Sequence, residues 1–128
     1  MERISREEYY FEIAKAVSLR SACLRRQVGA VIIRDGVILS TGYNGPPRGD
    51  PHCEFCIRDA NGYPHGKMYD NCPAVHAEEN AIINAALHGI NIRDADMYLY
   101  GGIESIGPCD RCMRLIKTTG LKVYVNGD

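Results

Sequence analysis

The sequence has no long apolar run, no excess of charge of either sign, and no internal repeat, linker or low-complexity tract. Its apolar stretches fall far short of the roughly 20 residues that span a bilayer, and its N-terminus lacks the basic-then-apolar pattern of a secretory signal. We therefore expect a soluble, cytoplasmic protein with no membrane partner. The net charge of −1 gives no general attraction to a polyanion, which argues against a nucleic-acid polymer as partner.

The 128 residues, of which 45% are hydrophobic, suit one compact domain over residues 1–128. Periodicity and turn signals predict six units in the order helix, β-hairpin, helix, strand, helix, strand. They lie at about residues 5–22, 28–43, 74–88, 97–101, 109–118 and 121–125. Asp35-Gly36 is the predicted hairpin turn, and a long Gly/Pro-rich loop follows the hairpin. This order predicts an α/β fold in which helices cover a mixed sheet.

Six cysteines in a chain without a secretion signal indicate metal ligands rather than disulfides, because a reducing cytosol keeps thiols available. A single cysteine is more often a small buried hydrophobic residue. Here, however, the cysteines form two CxxC pairs and two isolated positions: Cys53 and Cys56, Cys109 and Cys112, and Cys23 and Cys72. This grouping favours metal binding.

One pair of motifs carries the predicted chemistry. His76-Ala77-Glu78 and, thirty residues later, Pro108-Cys109-Asp110-Arg111-Cys112 match the H-x-E and P-C-x-x-C signature of zinc deaminases. The two cysteines start a helix, so both sulfurs lie on one face, and the free N–H groups there favour the thiolate. His76, also at a helix start, reaches the same ion. Three protein ligands leave one tetrahedral position open, as in a catalytic zinc site.

Glu78 is the predicted proton carrier. It would accept a proton from water and deliver protons to the ring nitrogen and the departing ammonia, without ligating the metal. Glu79 is predicted to point elsewhere in a structural role. A lone histidine is more often a hydrogen-bonded core or surface residue, but the company of Glu78 and the PCxxC motif favours a ligand at His76. The motifs thus predict a zinc-dependent nucleobase deaminase.

Further segments resemble the deoxycytidylate (dCMP) deaminase family within the cytidine deaminase-like superfamily. They are CLRRQVGAVI (23–32), STGYNGPPRG (40–49), PHC (51–53), VHAEENAI (75–82), PCDRC (108–112) and RLIKTTGLKVYV (114–125). The resemblance implies hydrolysis of dCMP to dUMP and ammonia, a three-layer α/β/α sandwich and usually a homohexamer.

The resemblance also implies substrate contacts. Asn44 of GYNG resembles a residue that contacts the nucleotide, and Arg26 resembles one near its phosphate. An arginine fork suits phosphate oxygens, and an asparagine amide both donates and accepts hydrogen bonds. The alternatives are a surface salt bridge for Arg26 and a turn residue with positive φ for Asn44. Arg48 and His65 are weaker candidates for the phosphate region.

Some members of the family carry an additional zinc ion. The resemblance implies a closed, structural zinc site of four thiols: Cys23, Cys53, Cys56 and Cys72. His52 or His65 could replace one of these ligands. Such a site would offset the entropy of ordering the long loop after GYNG.

Two features depart from the family. The segment GGIESIG (101–107) is an apparent insertion beside the predicted active site, and the chain ends at Asp128, where relatives continue into another strand and helix. Both lie where a base pocket is shaped or completed. Two other functions therefore stay open: a deaminase of another nucleoside or base, such as cytidine, deoxycytidine, adenosine or guanine, and a non-catalytic zinc-stapled binding module.

Overall fold

The computed structural model describes residues 1–62, 72–101 and 108–126. In these ranges the chain forms four helices and four strands. They are α1 (Arg6–Ser18), β1 (Gly29–Arg34), β2 (Val37–Tyr43), α2 (Ile57–Asn61), α3 (Ala77–Leu87), β3 (Asp96–Tyr100), α4 (Asp110–Thr119) and β4 (Lys122–Asn126). Every predicted element is present in the predicted order, and the short helix α2 in the long loop is the element that the sequence analysis missed. No helix in these ranges is long and apolar enough to cross a membrane.

The strands form one sheet in the order β2-β1-β3-β4. β1 runs antiparallel to both β2 and β3, whereas β3 and β4 are parallel and are connected through α4. The predicted turn between β1 and β2 is present, with positive φ at both Asp35 (53°) and Gly36 (76°), as a tight two-residue hairpin requires. The sheet is therefore mixed, as predicted.

Helices cover both faces of the sheet, because alternate residues of β1 and β3 point to opposite sides. One face forms a core with α1, made of Tyr10, Ala14, Val31, Ile33 and Tyr98. The other forms a larger core with α3 and α4, including Ala30, Ile32, Met97, Leu99, Ala77, Ala81, Ala85, Cys112 and Ile116. The predicted three-layer α/β/α sandwich is confirmed.

Two glycines let the helices approach the sheet backbone directly. A methyl group at Gly29 would lie 2.6 Å from the Ser18 amide nitrogen of α1, and one at Gly42 would lie 2.6 Å from the Ala77 carbonyl oxygen of α3. Ser40 of β2 also donates a hydrogen bond from its hydroxyl to the Ala81 carbonyl of α3 (2.7 Å). The start of α3 is thus held closely against β2.

Two helix boundaries differ from the prediction for reasons that bear on the site. α1 ends at Ser18 rather than near residue 22, and the hydroxyl of Ser21 instead donates to the Asn44 side chain (2.6 Å). α3 begins at Ala77 rather than at residue 74, because Val75 and Gly45 exchange two backbone hydrogen bonds of 2.7 and 3.1 Å. His76 is thereby left as the N-cap of α3.

Candidate metal centre and active site

The starts of α3 and α4 meet on one side of the sheet and bring the three predicted metal ligands together. His76 caps α3, Cys109 caps α4, and Cys112 lies in the first turn of α4. The Nδ1 atom of His76 lies 3.2 Å from the Cys112 sulfur and 3.5 Å from the Cys109 sulfur. Ligand atoms around a tetrahedral zinc, at about 2.0 Å for nitrogen and 2.3 Å for sulfur, lie roughly 3.5 Å apart. The three side chains therefore fit a zinc ion bound through Nδ1 and two thiolates.

This trio stands apart from other potential ligands. Within residues 1–62, 72–101 and 108–126, no other group of three or more His, Cys, Asp or Glu side chains has its ligand atoms within 4.8 Å of one another. Three protein ligands leave the open fourth position of a catalytic zinc site.

The thiols of this centre are buried, and burial changes their protonation. Cys112 is fully buried, and desolvation, followed by the Glu78 carboxylate and Cys109, raises the pKa of its thiol. This rise opposes the predicted preference of the helix start for the thiolate at Cys112. A bound cation is what stabilises the thiolate in such a position.

Glu78 lies beside the ligands in the first turn of α3. Its side chain is 7% exposed and faces a cavity in front of the metal centre. Burial raises the pKa of this carboxyl, and the Glu79 charge adds to the rise, while a backbone N–H, Cys112 and the Arg111 guanidinium oppose it. A carboxyl whose protonated form is stabilised in this way is suited to take up and return protons.

Glu79 is directed away from this cavity. Its Oε1 atom accepts a hydrogen bond from the His76 backbone N–H (2.9 Å) and one from the Arg111 guanidinium (2.8 Å). The side chain thus caps α3 and connects it to α4, which agrees with the structural role predicted for it.

Basic side chains also line the cavity. Arg26 has a buried Nε atom without a hydrogen-bond partner, and no ion pair involves this residue among the described ones. Arg25 lines the cavity too and pairs with Asp59 at 3.2 Å. Among the described residues, the surface salt bridge considered for Arg26 is not formed.

The structure does not bring together all of the predicted substrate residues. Asn44 lines the cavity beside Arg26, whereas Arg48 is exposed and lies outside the lining. His65 and residues 102–107 of the GGIESIG insertion lie outside the described residues.

Asn44 has a well-defined local role. Its Oδ1 atom accepts hydrogen bonds from the Ser21 hydroxyl (2.6 Å) and the Val28 amide (2.9 Å), and its Nδ2 donates to the Arg26 carbonyl (2.8 Å). Its φ is not positive, so the turn-residue alternative is wrong. Asn44 holds the segment of residues 21–28 that carries Arg26 along the cavity.

Arg58 is a lining residue that the sequence analysis missed. It lies on α2, is only 5% exposed and contributes to the same cavity as Arg26. The capping residues at the two ends of α2 are the feature that could have revealed this helix. At its start the Cys56 sulfur accepts a hydrogen bond from the Asp59 backbone N–H (3.4 Å), and at its end Gly62 has a φ of 66°. Arg58 thus adds a second buried basic group to the cavity lining.

The remaining four cysteines are free thiols that lie near one another. Burial and the neighbouring thiols Cys72, Cys23 and Cys56 raise the pKa of Cys53. Their ligand atoms are not gathered to within 4.8 Å as those of the first centre are.

Comparison with known proteins agrees with this site. The family model described as the cytidine and deoxycytidylate deaminase zinc-binding region matches residues 4–127. A deoxycytidylate deaminase of Schizosaccharomyces pombe is 35% identical over 125 residues, which are 96% of this chain and 37% of that protein. A deoxycytidylate deaminase of Mycobacterium phage D29 is 35% identical over 130 residues, which are 98% of this chain and 96% of that protein.

A solved structure is similar as well. The dCMP deaminase of cyanophage S-TIM5, crystallised in complex with dCMP and dUMP, is 28% identical and superposes with a TM-score of 0.73. The similarity covers 97% of this chain and 82% of the cyanophage chain.

Proposed function

The chain belongs to the cytidine and deoxycytidylate deaminase family, and from this membership we propose that it hydrolyses dCMP to dUMP and ammonia. One observation carries the proposal: His76, Cys109 and Cys112 converge beside the buried Glu78, at a cavity that Arg26 also lines. The metal ligands and Glu78 suit deamination, and Arg26 suits a substrate that bears a phosphate.

His76, Cys109 and Cys112 would hold the zinc ion, which when bound would supply Lewis-acid activation of water at neutral pH. Glu78 accepts a proton from the water that attacks C4 of the pyrimidine and passes it to the ring nitrogen N3. Glu78 next takes the proton of the new C4 hydroxyl and delivers it to the exocyclic amine, so that the C4–N bond breaks, ammonia leaves and C4 becomes a carbonyl carbon. The raised pKa of Glu78 favours each uptake, and its burial keeps bulk water from competing for the proton.

Arg26 provides the selection for a nucleotide. Its buried Nε has no hydrogen-bond partner in the part of the chain that the structure describes, and a phosphate oxygen is the acceptor that an arginine fork binds best. Asn44 orients the backbone of Arg26 through its amide, and its remaining N–H is available to the sugar or the base. A nucleoside without the phosphate would leave this buried Nε without that acceptor, which disfavours it as a substrate.

Ammonia release tests this proposal on a panel of dCMP, CMP, deoxycytidine, cytosine, adenosine and guanine. We expect zinc-loaded protein to turn over dCMP best, and Glu78→Gln to lower kcat by at least about 100-fold, the range of general acid–base catalysis. Glu12→Gln, an exposed carboxyl on α1, is the matched control and retains full activity.

Two results would contradict the proposal. Turnover of no substrate would favour a non-catalytic zinc module, and a preference for deoxycytidine over dCMP would overturn the phosphate-binding role of Arg26. A preference for another base would identify a different deaminase.

We further propose a second, structural zinc ion bound by Cys23, Cys53, Cys56 and Cys72, with His52 or His65 as substitutes for one ligand. The thiols of Cys72, Cys23 and Cys56 add to the effect of burial in raising the pKa of Cys53, and such an effect requires the four thiols to be close. This proximity supports the second site. We expect elemental analysis to find two zinc ions per chain, and one in either Cys53→Ser or Cys109→Ala. One zinc per chain in the wild type would contradict the second site.

Three wider features remain proposals. We propose that residues 1–128 form a single domain, that the protein assembles as a homohexamer, and that it works in the cytoplasm. Light scattering after gel filtration tests the assembly, for which six times the chain mass of 14.2 kDa is expected.

A further inference from the structure

The two helices that carry the metal ligands are tied together at their starts. Glu79 of α3 receives at one oxygen both the His76 backbone N–H (2.9 Å) and the Arg111 guanidinium of α4 (2.8 Å). His76 is a predicted ligand, and Arg111 lies between the two ligand cysteines of α4. A single carboxylate oxygen thus connects the peptide of one ligand to the helix of the other two.

This connection helps to fix the position of α3 relative to α4, which neither helix sets by itself. Cys109 and Cys112 belong to the same helix start, so local geometry sets the spacing of their sulfurs. His76 comes from α3, and its Nδ1 reaches the sulfurs at 3.2 and 3.5 Å only while α3 and α4 keep their relative position.

The ion pair between Glu79 and Arg111 is only partly exposed to solvent. The Glu79 side chain is 14% exposed and that of Arg111 is 41% exposed, so water screens the bond less than it screens a fully exposed ion pair. Both hydrogen bonds involve the ionised carboxylate, which makes them charge-assisted.

We propose that Glu79 and Arg111 are positioning residues that hold His76 at zinc-binding distance from Cys109 and Cys112. This inference rests on the zinc centre of the proposed function, but it concerns metal binding and needs no substrate. Replacing a residue that hydrogen-bonds a metal ligand typically weakens metal binding 10- to 100-fold.

The test measures zinc affinity by competition with a chromophoric chelator. Arg111→Met keeps the length of the side chain but removes the guanidinium, and we expect it to weaken zinc binding roughly 10- to 100-fold. Arg114→Met is the matched control, because this arginine is exposed on the same helix, and it is expected to bind zinc like the wild type.

Two further readouts separate positioning from general stabilisation. The metal-free Arg111→Met protein should unfold at the same urea concentration as metal-free wild type, and its cobalt-substituted form should show an altered ligand-field spectrum. Arg111→Lys, which retains a cation without the planar fork, should recover part of the affinity. In a Glu79→Gln background, where the carboxylate charge is gone, Arg111→Met should cost less than in the wild type.

Wild-type zinc affinity in Arg111→Met would overturn the proposal, as would equal effects in Arg111→Met and Arg114→Met. If Arg111→Met does not fold, unchanged zinc binding by both Arg111→Lys and Glu79→Gln overturns it instead. Wild-type protein that binds no zinc would refute the metal centre itself. If the wild type deaminates normally and Arg111→Met does not change zinc affinity, only the positioning role is refuted.

Discussion

At the residue scale, the surroundings of Arg26 define its expected contribution. The backbone of this arginine is held by Asn44, and its buried Nε has no partner in the described structure. Hydrogen bonds between charged groups contribute about 1.5–3 kcal/mol, which corresponds to roughly a tenfold to hundredfold change in an equilibrium constant. We therefore expect Arg26→Gln to raise KM for dCMP by this factor while leaving kcat/KM for deoxycytidine unchanged, as measured by steady-state ammonia release.

Arg48→Gln is the control for this experiment. Arg48 is exposed and outside the cavity lining, so the substitution should leave KM for dCMP unchanged. An equal rise in KM for both substrates in Arg26→Gln would mean that the residue supports the loop rather than the phosphate.

Individual residues differ in how far the sequence could predict them. The H-x-E and P-C-x-x-C motifs predict a cluster around His76 because both motifs lie at helix starts, and the order of the elements places those starts on one side of the sheet. The raised pKa of Cys112 and the bond between Glu79 and Arg111 depend on burial and on a partner from another helix. Local sequence carries no information on either, so neither could be predicted from the motifs.

At the scale of elements, Gly42 controls how closely α3 lies against β2. A methyl group there would lie 2.6 Å from the Ala77 carbonyl oxygen and closer still to the Ala81 amide nitrogen. We expect Gly42→Ala to push the start of α3 outward, to lower the free energy of unfolding by about 1–3 kcal/mol, and to weaken zinc binding because His76 caps this helix. Urea unfolding and chelator competition measure the two effects.

Gly45→Ala is the matched control for Gly42→Ala. No described atom lies within 4 Å of a methyl group at Gly45, and a residue other than glycine there restricts the unfolded chain. Its unfolding free energy should equal or slightly exceed that of the wild type. A Gly42→Ala protein as stable as Gly45→Ala would show that α3 tolerates displacement.

The elements themselves were largely predictable, and their boundaries were not. Turn chemistry at Asp35-Gly36 and alternating apolar residues predict β1 and β2 from local sequence alone. The start of α3 depends instead on the backbone pairing of Val75 with Gly45, which is a contact across thirty residues. The five-residue helix α2 escaped detection because it is too short to show a helical period.

At the scale of the whole molecule, the metal centre belongs to only one of the two faces of the sheet. Its ligands come from the starts of α3 and α4 and are continuous with the larger core. The opposite core, where Tyr10 of α1 packs against Tyr98 with ring centroids 5.0 Å apart, contains no metal ligand. The two faces share β1 and β3 but are packed by different side chains.

This asymmetry predicts a graded response to zinc removal. A bound ligand stabilises the folded state by an amount that grows with ligand excess, about 2.7 kcal/mol at a concentration of 100 times Kd. When the ligand is removed, the segments that lose contacts with it unfold locally more often than the rest of the protein. After dialysis against a chelator, we expect amide hydrogens in the first turns of α3 and α4 to exchange at least about tenfold faster. Amide hydrogens of α1 should keep their protection, as measured by hydrogen–deuterium exchange with mass spectrometry.

Zinc added back restores the slow exchange in the wild type but not in Cys112→Ala, which lacks one ligand of the metal centre. Uniform acceleration across all helices on zinc removal would contradict the graded response, because it would mean that α1 and the sheet also depend on the metal for their fold. Unchanged exchange at the starts of α3 and α4 would instead mean that packing in the larger core holds these helices without the ion. The exchange pattern therefore separates stabilisation by the metal from stabilisation by the core.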